Sequence, residues 1–202
     1  MVKPDVPMIV LTGGPGAGKT AVLEILKRMV CEHVAVLPEV AGMLFGGGFW
    51  RLQSPSGRRA AQRAIFLVQR ELEQMVMAEG RYKAIICDRG TLDGMAYWPG
   101  EPEEFLKNLG LDRRQELERY SQVIHLRTPS EARWYNNRNP LRIETVEEAG
   151  EIDRKIDLAW SGHHNRHFVN NHRDFVNKSQ SAILLLLNAL PKCCDGANVH
   201  AG

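Results

Sequence analysis

No apolar run in the sequence approaches the roughly 18 residues that a membrane span requires; the longest, residues 182–187, falls far short. No basic-then-apolar segment of the kind that directs secretion opens the chain. Cysteine is sparse. Cys31, Cys87, Cys193 and Cys194 form no CxxC pair, and two adjacent cysteines are poor geometry for zinc. These absences point to a reduced, cytoplasmic protein without structural disulfides or a membrane span. An excess of one charge is missing too: 26 Lys and Arg against 24 Asp and Glu leave a net +2. That balance argues against a general nucleic-acid binder. Internal repeats and low-complexity linkers are also absent.

What remains is a chain of 202 residues, 44% apolar and 25% charged, close to globular averages. At about 150 residues per domain the expectation is one domain, large enough to fold without a metal or disulfide staple. Apolar runs at 8–11, 34–37, 84–87, 123–126 and 167–169 read as strands. Between them lie helical patterns. Val22, Ile25, Leu26 and Met29 mark a helix to about Val30, and Ala61, Ile65, Val68, Leu72 and Met75 form one stripe of a helix over 58–79. Thr145 with Glu148 is a capping box opening a further helix, and a last helix runs to Leu190 ahead of Pro191. Residues 42–57, rich in glycine, read as a loose loop, and the tail 191–202 as disordered. Strands that are apolar on both faces, separated by helices, predict an α/β fold with a parallel sheet between helical layers.

The clearest chemical signal is Gly13-Gly14-Pro15-Gly16-Ala17-Gly18-Lys19-Thr20, which fits G-x4-G-K-[ST] between a buried strand and an amphipathic helix. Glycines let backbone N–H groups converge on phosphate oxygens, and the helix N-terminus adds unsatisfied donors and its positive dipole end. Lys19 would reach the outer phosphates of a nucleotide, and the Thr20 hydroxyl would ligate Mg²⁺. A guanine-reading Asn-Lys-x-Asp is absent, since Asn177-Lys178-Ser179-Gln180 lacks the Asp, and so is an Asp-x-x-Gly switch. A switch-type GTPase is disfavoured, and GTP binding stays open beside ATP.

Other candidates follow from position. Asp88, at the tip of the third strand, can hold Mg²⁺ beside the loop, and Arg89 can contact a phosphoryl oxygen. Glu39, at the end of the second strand, faces the same crevice as a candidate base or substrate contact. Gln62, Phe66, Gln69 and Glu73 form a second stripe on the long helix; two amides flanking an aromatic could read a substrate, or the stripe could simply face solvent. Arg133, Arg138 and Arg142 lie in a segment, about 128–145, suited to close as a lid over a triphosphate. His163, His164, His167 and His172 share no single face and read as ordinary junction histidines.

The phosphate loop, Pro38-Glu39, and Asp88-Arg89-Gly90 followed by residues 93–98 together resemble the small AAA-domain phosphate-loop ATPases related to the kinase domain of NadR and to Ttd14. Residues 139–144 and 159–163 are similar to that family as well, so the resemblance spans roughly 9–171. It implies a nucleoside- or nucleotide-kinase-like three-layer sandwich with strand order 2-3-1-4-5. NadR-type relatives imply phosphorylation of a nucleoside, and Ttd14-type relatives imply GTP and phosphoinositide binding. The plan is also similar to deoxynucleoside kinases, whose strand-end Glu, acidic-Arg motif and arginine-bearing lid correspond to Glu39, Asp88-Arg89 and the 133–142 segment. Gly90 departs from the polar or aromatic residue common there. The resulting expectation is transfer of the ATP γ-phosphoryl group to a small hydroxyl-bearing acceptor. The alternative is a regulatory nucleotide-binding module with a protein or phosphoinositide partner.

Overall fold

The computed structural model describes residues 6–129, 145–171 and 174–191. The candidate lid arginines Arg133, Arg138 and Arg142 and nearly all of the 191–202 tail lie outside them. Five strands build the sheet: β1 (Met8–Thr12), β2 (Val34–Leu37), β3 (Ala84–Asp88), β4 (Gln122–Leu126) and β5 (Arg166–Val169). All neighbours pair parallel, in the order β2-β3-β1-β4-β5. The expected order and the alternation of strand and helix are both present.

Alternation along the strands sorts the core into two layers. Met8 and Val10 of β1, Ile85 and Cys87 of β3 and Val123 of β4 pack on one face with Phe66, Phe105, Tyr120 and Trp160. Ile9, Leu11, Ile86, Ile124 and Leu126 point to the other, against Val22, Leu23, Leu26, Ala182 and Leu186. That second face is covered by α1 (Lys19–Lys27) and α8 (Phe175–Asn188). Over the first lie α3 (Pro55–Ala78), the short α4 (Gly94–Tyr97), α5 (Pro102–Leu109), α6 (Arg113–Glu118) and α7 (Val146–Ala159). The α7 capping box is present, with Thr145 and Glu148 bonding each other's backbone N–H.

Three sequence expectations need correction. The first helix ends at Lys27, and its core residues are Val22, Leu23 and Leu26; Ile25 and Met29 are 43% and 40% exposed. Leu23 takes their place, buried with Val22 and Leu26 in the same core layer, whereas Ile25 turns outward. Part of the presumed loop is a helix, α2 (Val40–Gly46), anchored by buried Val40. It ends where Gly48 adopts φ +96°, a conformation that favours glycine. The long helix α3 starts earlier than expected, because Ser54 caps it and Pro55 supplies a preset first residue. Its buried face is not the apolar stripe. Gln62, Phe66, Gln69 and Glu73 are buried with Ala61 and Val76, while Met75 is 54% exposed and Ile65, Val68 and Leu72 are half-buried. The solvent-facing reading of the polar stripe is therefore wrong, and its polar atoms find partners or a cleft inside the fold.

Gly90 follows β3 at the centre of this packing. A Cβ placed there would stand 2.6 Å from the Trp160 ring and 2.9 Å from Val10, and both neighbours are fully buried. Its backbone is extended, so the constraint is space rather than dihedral angle. Gly90→Ala is expected to destabilise the fold by about 1–3 kcal/mol through overpacking, measurable as a lower urea midpoint.

Candidate active site

In an open parallel sheet, ligands bind beyond the strand C-termini where successive connections leave in opposite directions. Here that point lies at β1, between β3 and β4. A cleft of about 1000 Å³ opens there, lined by Pro15, Gly16, Gly18, Lys19, Thr20 and Glu39 and also by Gln62, Phe66, Asp88 and Arg89. One cleft thus gathers most of the predicted site residues. Gly13, Gly14 and Ala17 belong to the loop but do not line the cleft. Ala17 is 1% exposed in the core. A Cβ on Gly13 would approach the Leu126 carbonyl oxygen to 2.1 Å, and its φ is +137°.

The loop leads into the N-terminus of α1, so Lys19 is both the first helical residue and buried. Its Nζ donates to the carbonyls of Gly13 and Gly14 at 2.8 and 3.1 Å. Burial, with the neighbouring Arg89 charge, pushes Lys19 down to about 8. Asp88 moves the opposite way. Burial raises it to about 6 against the attraction of Lys19. Its Oδ1 is buried and has no hydrogen-bond partner, an arrangement proteins rarely leave unsatisfied. A hard cation that prefers oxygen ligands fits this orphaned carboxylate oxygen. Thr20, exposed one residue past Lys19, lines the same cleft and offers its hydroxyl.

Arg89 ties the phosphate loop to the end of β2 and to the turn after β3. Its Nε donates to Glu39 Oε1 at 2.6 Å, and its Nη1 donates to the Gly13 carbonyl at 3.1 Å and to Asp93 Oδ2 at 3.3 Å. Its backbone takes φ +72°, the only positive value at a non-glycine among the described residues. Such strain persists only where surrounding contacts over-determine it. Gln62 and Phe66 are 8% and 6% exposed, and Phe66 meets Phe105 edge-to-face at 6.0 Å.

Two carboxylates escaped the sequence reading. Asp93 accepts from Thr12 Oγ1 at 2.7 Å and from Trp160 Nε1 at 2.5 Å, besides Arg89. Its sequence signal was its place at the head of the 93–98 segment that, with Asp88-Arg89-Gly90, carries the family resemblance. Asp153 of α7 accepts at Oδ1 from the Gly14 N–H at 2.9 Å and from Thr128, and bonds His125 Nε2 at 2.9 Å. The described histidines of the later cluster serve locally: His163 bonds the Tyr120 carbonyl, and His167 bonds Asn165.

The AAA-domain family matches residues 8–176 of the chain. The chain belongs to the AAA-domain family. No curated protein sequence matches it significantly. Among solved structures, this AAA-domain chain is similar to NadR in complex with NR, with a TM-score of 0.69 and 15% identity. That match covers 92% of this chain and 52% of the other, so the chain spans about half of the NadR structure. It is also similar to deoxyadenosine kinase from M. mycoides, solved with dCMP and dCDP, with a TM-score of 0.59 and 14% identity. There the match covers 91% of this chain and all of the other. At these identities the likeness is one of fold, the phosphate-loop kinase sandwich. Among the described residues no helix is long and apolar enough to cross a membrane.

Asp153 gives the site a pH signature. Burial opposes its charge, yet His125, the Gly14 N–H and Arg127 hold it at about 2, below its ordinary 3.8. A carboxyl depressed in the folded state stabilises fully above its unfolded value and loses that contribution as pH falls through the folded one. Asp153 therefore contributes about 2 kcal/mol above pH 4, fading toward pH 2. Asp153→Asn is expected to lower the urea midpoint at pH 7 and to flatten the acid limb of stability against pH.

Proposed function

We propose that the chain binds MgATP and transfers its γ-phosphoryl group to a hydroxyl of a small, nucleoside-like acceptor. The observation that supports this reading is a convergence of charge. Lys19, the orphaned oxygen of Asp88 and the Glu39–Arg89 ion pair line one cleft together with Gln62 and Phe66 of α3, and Lys19 Nζ and Arg89 Nη1 both donate to the Gly13 carbonyl.

In this reading the N–H groups at the start of α1 cradle the phosphates of ATP. Lys19 exchanges its two loop carbonyls for phosphate oxygens, whose negative charge favours its protonated form further. Thr20 and Asp88 would hold Mg²⁺, which when bound neutralises charge on the triphosphate. Arg89, fixed by Glu39 and Asp93, offers its guanidinium to the charge that develops on the transferred group. Glu39 accepts the proton of the acceptor hydroxyl as that oxygen bonds to phosphorus and the bond to the β-phosphate oxygen breaks, leaving ADP. Gln62 and Phe66 contact the body of the acceptor. Arg133, Arg138 and Arg142 complete the assignment as lid residues. GTP in place of ATP remains compatible with the loop.

A regulatory nucleotide-binding module with a protein or phosphoinositide partner is the second reading. It draws on the segment after α2, where Trp50 is 77% and Leu52 52% exposed. Phe45 of α2 and Arg51, Leu52 and Gln53 of this segment line the cleft, as an acceptor-binding wall would. That favours the transferase.

Lys19→Ala is expected to weaken MgATP about 10- to 100-fold in calorimetry, because a charge-assisted phosphate contact contributes about 1.5–3 kcal/mol; equal affinity would overturn nucleotide binding at this loop. Glu39→Gln keeps an oxygen for Arg89 but loses the base. Transfer to a panel of nucleosides and small alcohols should fall about 10²- to 10⁴-fold with MgATP affinity nearly intact. Hydrolysis with no acceptor phosphorylated would favour the regulatory module.

A further inference from the structure

The polar residues that α3 turns toward the cleft are not equivalent. Gln62, 8% exposed, makes no hydrogen bond with any described residue, so its amide is available in either orientation. Gln69, 3% exposed and lining the same cleft, is committed: its Nε2 donates to Glu73 Oε1 at 2.9 Å. Glu73 has no exposed surface. Tyr120 Oη donates to the same Oε1 at 2.8 Å, and Arg119 Nη2 donates to Oε2.

That arrangement fixes polarity. An ionised carboxylate only accepts hydrogen bonds, so the Gln69 atom facing it must be the amide nitrogen. A reversed amide would set two buried acceptor oxygens against each other, since Glu73 has no exposed surface and Gln69 almost none. The carbonyl Oε1 of Gln69 is then the polar atom left for the cleft. Glu73 cannot swing to relieve the constraint, because its partners are held in turn. Arg119 also meets Glu116 at 3.5 Å, and Glu116 accepts from Arg70 at 2.6 Å and from Thr91 Oγ1 at 2.8 Å. The Thr91 N–H donates to Tyr120 Oη at 3.1 Å. Thr91 opens the turn directly after Asp88, Arg89 and Gly90, so the clamp is anchored at the strand exit that carries the phosphate-side residues.

We propose that Glu73 is a positioning residue that locks the Gln69 amide with its oxygen toward the cleft, so that the acceptor must present a hydrogen-bond donor there. The site therefore selects a flat ring carrying an amino group over the same ring carrying a keto group. This rests on the reading of the cleft as a nucleoside-like acceptor site. Gln62, unconstrained, adapts to whatever the neighbouring ring edge offers and adds little to the choice.

The test is binding and phosphorylation of two matched pairs, adenosine against inosine and cytidine against uridine. Each pair exchanges an amino for a keto group and turns the adjacent ring nitrogen from acceptor into N–H donor, a change that the unconstrained Gln62 amide can follow while Gln69 cannot. Affinity is read by calorimetry in the presence of MgADP, and transfer is read with labelled ATP. The wild type should favour the amino member of each pair about 10-fold or more, because the keto member leaves two buried acceptors face to face. Glu73→Gln offers Gln69 either an oxygen or a nitrogen, so the amide can turn over and both preferences should fall within about threefold. A purely structural Glu73 would lower stability and leave the ratios unchanged, which would overturn the proposal. If Glu73→Gln does not fold, the wild-type ratios decide alone: a keto preference, no preference, or no binding of any of the four overturns it. Discriminating binding without phosphorylation would uphold the polarity lock while refuting the transferase reading.

Discussion

The guanidinium of Arg89 is the contact on which the site depends. It is a cation removed from water, and such a charge is tolerated only when paired and hydrogen-bonded. Glu39, Asp93 and the Gly13 carbonyl meet that requirement together, and they come from β2's end, the turn after β3 and the phosphate loop. Burial works against its charge, yet Tyr97, Glu39 and Asp93 hold its pKa well above the ordinary value. One ion cluster thus sets the spacing between a candidate base, the phosphate loop and the strand tip bearing Asp88. The left-handed backbone at Arg89 is the local strain that this spacing requires.

The sheet provides the frame for that cluster, and the helices give each wall its character. α1 brings a helix N-terminus and Lys19 to the end of β1. α3 brings a face that is polar yet buried, an expensive combination unless every group is satisfied or faces a ligand. α7 does two things at once. Its Glu148, Glu151, Ile152 and Lys155 line the cleft, while Asp153 receives the Gly14 N–H from behind. The phosphate loop is therefore held from the rear by a helix that also borders the cleft.

Much of this was legible in the sequence, for identifiable reasons. Strands apolar on both faces, separated by helices, dictate a parallel sheet, and the loop motif carries its chemistry in eight consecutive residues. Glu39, Asp88 and Arg89 could be placed because strand ends in such a sheet share one edge. The polarity of α3 misled, because a Gln-Gln-Glu stripe looks solvent-facing until Arg119 and Tyr120, 46 and 47 positions away, are seen to meet Glu73. The roles of Asp93 and Asp153 were hidden for the same reason. Thr12 lies 81 positions from Asp93, and Gly14 lies 139 from Asp153. Separations of that size leave no local pattern in a single chain. The helix at 40–46 was missed because glycine there suggested a turn, whereas burial of Val40 outweighs that preference.

Asp93 has a consequence for how the protein can vary. Its two oxygens gather a hydroxyl from β1, an indole N–H that follows α7, and the guanidinium that orders the cleft. A side chain in that position belongs to the scaffold and to the candidate site alike. Mutational scanning at Asp93 would find no substitution that impairs one and spares the other, so drift there is confined from both directions. Sequence change that retunes this cleft must enter elsewhere, at walls such as Gln62 whose bonding is not shared with the core.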